Sequence, residues 1–293
     1  MSFTHTFSAK LAAGPDAVFR ALTDRAALES WFTEHAEPGK SIGEGFRFWG
    51  RHTLGSPKAT DATQRITRYE PGTALGFSWK LRGVDTEVEL TLTPDGEAGT
   101  RLSLRHEIRG DLGIIRAREL IEDHWRFALG NLAAHLAGGA GLVLPDYDDP
   151  APEVRMTLEI AAPPARVFRA LIEPESVNRW LCGSGAIVEP RVGGRYIVGW
   201  KYQVDGRDVA GGPTRILEYV QDRKLVLDWP DWRGDDTVTG QTISFTLEPN
   251  GAGTRLTFVH AGFTRTADIG DYPFGWDGFL DMLKQEATGA ATA

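Results

Sequence analysis

Val18-Phe19-Arg20-Ala21-Leu22, opening three residues after Pro15, returns as Val167-Phe168-Arg169-Ala170-Leu171, three residues after Pro164. The interval is 149 residues, and Trp31 returns as Trp180 at the same distance. Arg65, Ile66, Tyr69 and Trp79 reappear 150 residues on as Arg215, Ile216, Tyr219 and Trp229. Gly99-Thr100-Arg101-Leu102 with His106 matches Gly253-Thr254-Arg255-Leu256 with His260, and Trp125, Leu129 and Leu132 match Trp276, Leu280 and Leu283. Matches in one order at nearly constant spacing mean that one unit occurs twice. A period near 150 residues has the size of a whole domain rather than of a solenoid repeat.

Residue types place the boundary. Helical periodicity stops near Leu136, and Gly138-Gly139-Ala140-Gly141 followed by Pro145, Pro150 and Pro152 among acidic residues reads as a semi-stiff linker. The expected organisation is domain 1 over 1–139, a linker over 140–152 and domain 2 over 153–293, with the small residues of 287–293 frayed. Each copy begins with a period-two strand (Phe3 to Leu11; Val154 to Ile160), then a proline-started helix and a second short helix ending at Trp31 or Trp180. In the first copy, strand-like runs at 46–52, 63–69, 75–79, 86–92 and 101–107 predict an antiparallel meander. A stripe of Ile121, Trp125, Leu129, Leu132 and Leu136 predicts an amphipathic helix over 114–136, with a shorter counterpart over 273–286.

At 293 residues, 41% hydrophobic and 25% charged, the chain has material for two cores. A formal net charge of −8 argues against a nucleic-acid or anionic-membrane surface. With Cys182 as the only cysteine there is no internal disulfide and no multi-thiolate metal site. No apolar run approaches the ~20 residues of a membrane span, and nothing at the start resembles a signal peptide, so a cytoplasmic location is expected. Motifs for phosphate loops, zinc hydrolases and serine nucleophiles are absent from the sequence, and neither cofactor nor metal is expected. Cys182 is expected to be a buried structural thiol. The acidic clusters 146–149 and 231–236 are expected to be solvated linker and turn.

The Pro-x-x-Val-Phe-x-Ala-Leu start, the Trp closing the second short helix, Gly43-x-Gly45 or Gly193-Gly194 before the next strand, Gly-Thr-Arg-Leu-x-x-x-His, and Gly275-Trp276-x-x-x-Leu280-x-x-Leu283 together resemble the activator of heat-shock-protein-90 ATPase homologue family, within the START and Bet v 1-like superfamily. The resemblance covers nearly all of both copies. It implies an α+β chain of two tandem helix-grip domains, each a curved antiparallel sheet around a long C-terminal helix, with a cavity that in many relatives accepts an apolar or aromatic molecule. The first copy departs from the pattern twice: it is expected to lack the strand between Trp31 and Gly43, and it carries His124 where Gly275 stands in the second. The two pockets are therefore expected to differ in shape, and the second copy, which keeps the segment Ala186-Ile187-Val188-Glu189-Pro190 that the first is expected to lack, is expected to hold the better-formed cavity.

Parity along the strands selects wall candidates. Leu75, Phe77 and Trp79 share a face, as do Leu102, Leu104 and His106, and the second copy repeats this with Leu225, Leu227, Trp229 and Leu256, Phe258, His260. With Trp125 and Trp276 from the closing helices, and Tyr196, Trp200 and Tyr202 from the second copy, these form the candidate ligand-binding set. Each also has a plain alternative as a core aromatic or a hydrogen-bonded structural histidine. Trp49-Gly50 aligns with Gly199-Trp200, so that indole is expected on opposite faces in the two copies. Asp228 in the second copy and Arg47, Arg82 and Glu89 in the first are further candidate polar wall groups, with solvent-facing strand residues as the plain alternative, and no catalytic residue is assigned. Three functions follow from the resemblance: binding of a hydrophobic small molecule, including natural-product biosynthesis or self-resistance; a polyketide aromatase or cyclase; and a chaperone-associated interaction module.

Overall fold

The computed structural model describes residues 2–139, 141–204 and 206–289. It divides into two compact units, Met1–Pro150 with Arg265–Pro273, and Ala151–Thr264 with Phe274–Ala293. The first runs β1 (Phe3–Leu11), α1 (Pro15–Thr23), α2 (Arg25–Trp31), β2 (His35–Pro38), β3 (Phe46–Trp49), β4 (Arg65–Glu70), β5 (Ala74–Leu81), β6 (Val84–Asp95), β7 (Gly99–Ile108) and α3 (Ala117–Leu136). The second repeats the plan: β8 (Val154–Ile160), α4 (Pro164–Ile172), α5 (Pro174–Trp180), β9 (Ile187–Val188), β10 (Tyr196–Ile197), β11 (Trp200–Val204), β12 (Arg207–Gly211), β13 (Ile216–Val220), β14 (Lys224–Asp228), β15 (Thr242–Asn250), β16 (Gly253–Ala261) and α6 (Tyr272–Thr288). Each unit has a five-stranded antiparallel sheet, ordered β1-β7-β6-β5-β4 and β13-β14-β15-β16-β8. The chain is α+β, two tandem helix-grip domains.

Period-two burial makes the sheets one-sided. In β7, Thr100, Leu102, Leu104, His106 and Ile108 are buried and alternate with more exposed residues, and in α3 Ile121, Trp125, Leu129 and Leu132 form the facing stripe. Each such large apolar side chain contributes roughly 1.5–3 kcal/mol on leaving water. A bulge between Ile66 and Arg68 recurs between Ile216 and Glu218, bending the edge strand of each sheet.

The repeated motif residues hold one another. Trp31 Nε1 donates to the Ala21 carbonyl at 2.9 Å and Trp180 Nε1 to that of Ala170 at 3.1 Å, fastening the second short helix to the first. Phe19 packs edge-on against Tyr69 and Phe168 against Tyr219, at 5.4 and 5.3 Å between ring centroids. Thr100 Oγ1 donates to the Ala13 carbonyl and Thr254 Oγ1 to that of Ala162, at 2.6 and 2.7 Å. The glycine beside each threonine is required by space: a Cβ on Gly99 would stand 2.5 Å from the Asp95 carbonyl oxygen, and one on Gly253 equally close to that of Ile160.

Several expectations need correction. The first copy does have a strand after Trp31: β2 pairs with β3, His35 opposite Trp49 through Pro38 opposite Phe46. Only Ala36 points inward from it, fully buried, so four residues with one small apolar side chain show no alternation. Its counterpart β9 is shorter, at two residues, which removes the stated ground for a better-formed second cavity. Helix α3 starts at Ala117 because Arg116 adopts a left-handed φ of 57°. The β3 strand stops at Trp49, where Gly50 turns the chain at φ 116°. Ala287 is buried within α6 rather than frayed, while 290–293 lie outside the described residues. The proline-containing segment after α3 is fastened: Asn131 Nδ2 donates to the Val143 carbonyl and Asn131 Oδ1 accepts from Val143 N–H, at 2.7 and 3.0 Å, and Tyr147 N–H donates to the Arg51 carbonyl.

Candidate functional site

In the first unit, Trp79, His106 and Trp125 meet between sheet and helix. The Trp79 and His106 rings stack at 5.7 Å, and Trp125 stands edge-on to both. An indole N–H only donates, so the 3.0 Å bond from Trp125 Nε1 makes His106 Nδ1 an acceptor and puts the proton on Nε2. That nitrogen donates to Thr86 Oγ1 at 2.9 Å, and the hydroxyl in turn donates to the Trp79 carbonyl at 2.8 Å. His106 is fully buried, and burial, with His124 and His5 nearby, pushes its pKa down to about 3, so it stays neutral.

The second unit repeats the arrangement with different details. Trp276 Nε1 donates to His260 Nδ1 at 3.1 Å, and His260 Nε2 faces Gln241 Oε1 at 3.3 Å. Burial again lowers the histidine pKa to about 3. Trp229 packs against His260, Trp276 and Trp200. Trp200 stacks on Phe279 of α6 at 5.5 Å and donates to the Leu181 carbonyl, whereas Trp49 lies against His35 under the Arg47 guanidinium. The indole has changed faces, and Phe279 has replaced Ala128 at the matching helix position to receive it.

Two candidates stand apart. Tyr196 is fully buried with its hydroxyl donated to the Leu171 carbonyl at 2.7 Å, which ties β10 to α4. Tyr202 is exposed on the β11-β12 hairpin, edge-on to Trp232. Arg47 reaches Glu37 and the Ala59 and Ala62 carbonyls, Arg82 the Leu112 carbonyl and Glu89 the Arg68 guanidinium, while Asp228 caps the Thr214 and Arg215 amides. Cys182 is exposed rather than buried, because it turns the chain off α5 at φ 50° with its Sγ against Met282. Asp231 is buried rather than solvated, its carboxylate accepting the Arg233 and Asp235 amides.

The interior of the first unit contains a narrow apolar void of about 20 Å³ reached by both layers: Phe46, Leu75, Phe77 and Leu90 from strands, Trp125 and Leu129 from α3, and Trp31 and Phe32 at the end of α2. That is room for about one water molecule, against the several hundred Å³ of a drug-sized site. Beside it lies His124, its Nδ1 2.7 Å from the Tyr147 hydroxyl and its ring against Trp79, Trp125 and Phe32. Burial and His5 push its pKa down to about 3. Thr86 and Gln241 escape a comparison of the copies because they differ in type. His124 does leave a sequence signal, a bulky ring where the second copy has glycine. Among the described residues, no group of three or more His, Cys, Asp or Glu could hold a metal ion, and no helix is long and apolar enough to cross a membrane.

The crystal structures similar to this chain include DynU16, a protein in the dynemicin biosynthetic locus, over 97% of this chain and 98% of that one at 22% identity and TM-score 0.40. The di-domain ARO/CYC StfQ from the steffimycin biosynthetic pathway aligns over 97% of this chain and 98% of its own at 18% identity and TM-score 0.36. CalU16 from Micromonospora echinospora aligns over 46% of this chain and 77% of its own at 26% identity and TM-score 0.38. No curated protein matches. The family model described as activator of Hsp90 ATPase homolog 1-like protein matches residues 12–137 and again residues 161–288, and the chain belongs to that family, with its domain present twice in tandem.

Proposed function

We propose that the chain binds an apolar or aromatic small molecule between the sheet and the long helix. The observation that carries this reading is the void of the first unit, lined by Leu, Phe and Trp side chains from sheet, short helices and α3 together. Such a lining favours burial of aromatic surface. At about 20 Å³ the void must widen as a ligand enters, so binding is coupled to movement of side chains such as Phe32.

Binding is favoured over cyclase chemistry by the state of the two wall histidines. His106 and His260 each accept from an indole and face a second polar side chain, and burial holds both neutral with pKa values near 3. A general acid or base works best with a pKa near the operating pH and within reach of substrate. The chaperone-associated reading has only the family's name in its favour. Calorimetric titration of the full chain with naphthalene tests the proposal: saturable binding with a negative heat-capacity change, and a rise in Tm with ligand concentration, are expected. Absence of both responses with naphthalene and with its hydroxylated analogue 1-naphthol, up to their solubility limits, would refute it.

A further inference from the structure

Among the described residues, two deeply buried ring nitrogens of the first unit have no hydrogen-bond partner, Trp79 Nε1 and His124 Nε2. Trp79 is 2% exposed and His124 3%. Polar atoms buried this deeply are nearly always paired, so an orphan marks a place where a partner belongs. The two rings are neighbours, with centroids 5.5 Å apart and planes inclined by 58°. Trp125 and Phe32, which both touch the His124 ring, also line the adjoining void. His124 is held in place through Nδ1, which stands 2.7 Å from the Tyr147 hydroxyl.

The chemistry of the pair narrows what can satisfy it. The indole N–H only donates, whereas imidazole Nε2 donates or accepts according to tautomer, and the Tyr147 hydroxyl is compatible with either. A hydroxyl oxygen meets both demands: it accepts from the indole and exchanges a hydrogen bond with the imidazole in whichever sense the tautomer requires. The aromatic lining around it suits a hydroxyl carried on a flat, unsaturated skeleton. The second unit has no such pair, since Gly275 occupies the position of His124.

We propose that Trp79 Nε1 and His124 Nε2 form a hydroxyl-recognition point inside the first unit, selecting phenol- or enol-bearing aromatic ligands over their unsubstituted counterparts. The inference rests on the interior being a ligand site and adds to it a polar selectivity and a location. Its test is calorimetric titration of the full chain with 1-naphthol and, separately, naphthalene. Wild type should bind 1-naphthol about tenfold more tightly, the size of one net hydrogen bond. In Trp79→Phe and His124→Phe the ratio of 1-naphthol to naphthalene affinity, measured in the same variant, should shrink to about twofold or less. Equal affinity of wild type for the two probes, or a preference that survives both substitutions, overturns the inference and leaves interior binding standing. Failure of both probes to bind wild type overturns both. Should either variant not fold, the indole N–H resonance of Trp79 in the wild-type protein decides: it should move further downfield with 1-naphthol than with naphthalene, and a downfield shift no larger with 1-naphthol refutes the recognition point.

Discussion

His106 and His260 show how a residue type that looks chemical can be structural. Each ring stands between an indole donor on the closing helix and a polar side chain on, or just before, the neighbouring strand, so it links the layers rather than offering a free nitrogen. Replacing His260 by Ala leaves the Trp276 N–H unpaired and a ring-sized hole beside Phe263 and Trp229. The expected cost is ~3–4 kcal/mol, combining an orphaned donor with a cavity. Urea denaturation measures it, and an unchanged midpoint would show that the ring is not part of the network. A test of ligand binding at this position therefore needs the stability of the variant measured alongside.

Matching helix positions are covered in different ways in the two units. In α3, His124 and Asn131 hold Tyr147 and Val143 of the segment that follows, whereas in α6 the corresponding Gly275 and Met282 flank Phe279, which carries the Trp200 indole. Asn131→Ala should remove two hydrogen bonds and free the segment, at about 1–2 kcal/mol, with faster amide exchange at Val143 as the local reading. Exchange at Val143 as slow as in wild type would argue against that clasp. Trp200→Ala should destabilise the second unit by ~2–3 kcal/mol, less than for a fully buried tryptophan because the side chain is half-buried. Combined with Phe279→Ala, the double-mutant cycle should give ~0.5–1.5 kcal/mol of coupling, and additive effects would mean the rings do not stack in solution.

Over the whole molecule, the buried histidines set a pH dependence that differs between the units. His106 and His124 in the first, and His260 in the second, have folded pKa values near 3, against 6.5 when exposed. Above 6.5 both folded and unfolded rings are neutral and the stability is fully present. As pH falls below 6.5 only the unfolded state takes up protons, so each histidine removes up to ~1.4 kcal/mol per pH unit. The window from pH 6.5 to 5 isolates this effect, because the carboxylates with shifted pKa values are lowered from 4.5 and act at more acid pH. The first unit, with two such rings, should lose stability about twice as steeply as the second. Urea midpoints from pH 7 to 5, followed with residue-resolved NMR, check this, and a flat profile would contradict neutral buried rings.

The residues themselves determined the tandem organisation, the one-sided strands and the closing helices, because those features come from periodicity and from motifs that recur in fixed order. They also placed Trp79, His106 and their counterparts between sheet and helix by strand parity, and Trp125 and Trp276 by the spacing of the helical stripe. Where parity has little to act on, the sequence is silent: β2 has one small inward residue, and Cys182 owes its exposure to a left-handed backbone turn. Only the tertiary structure decided which polar atoms meet. Thr86, Gln241 and Tyr147 reach their histidines across 20, 19 and 23 residues of chain, and no local pattern records such distances. The same holds for the two unpaired nitrogens of Trp79 and His124, because whether a buried group lacks a partner depends on everything packed around it.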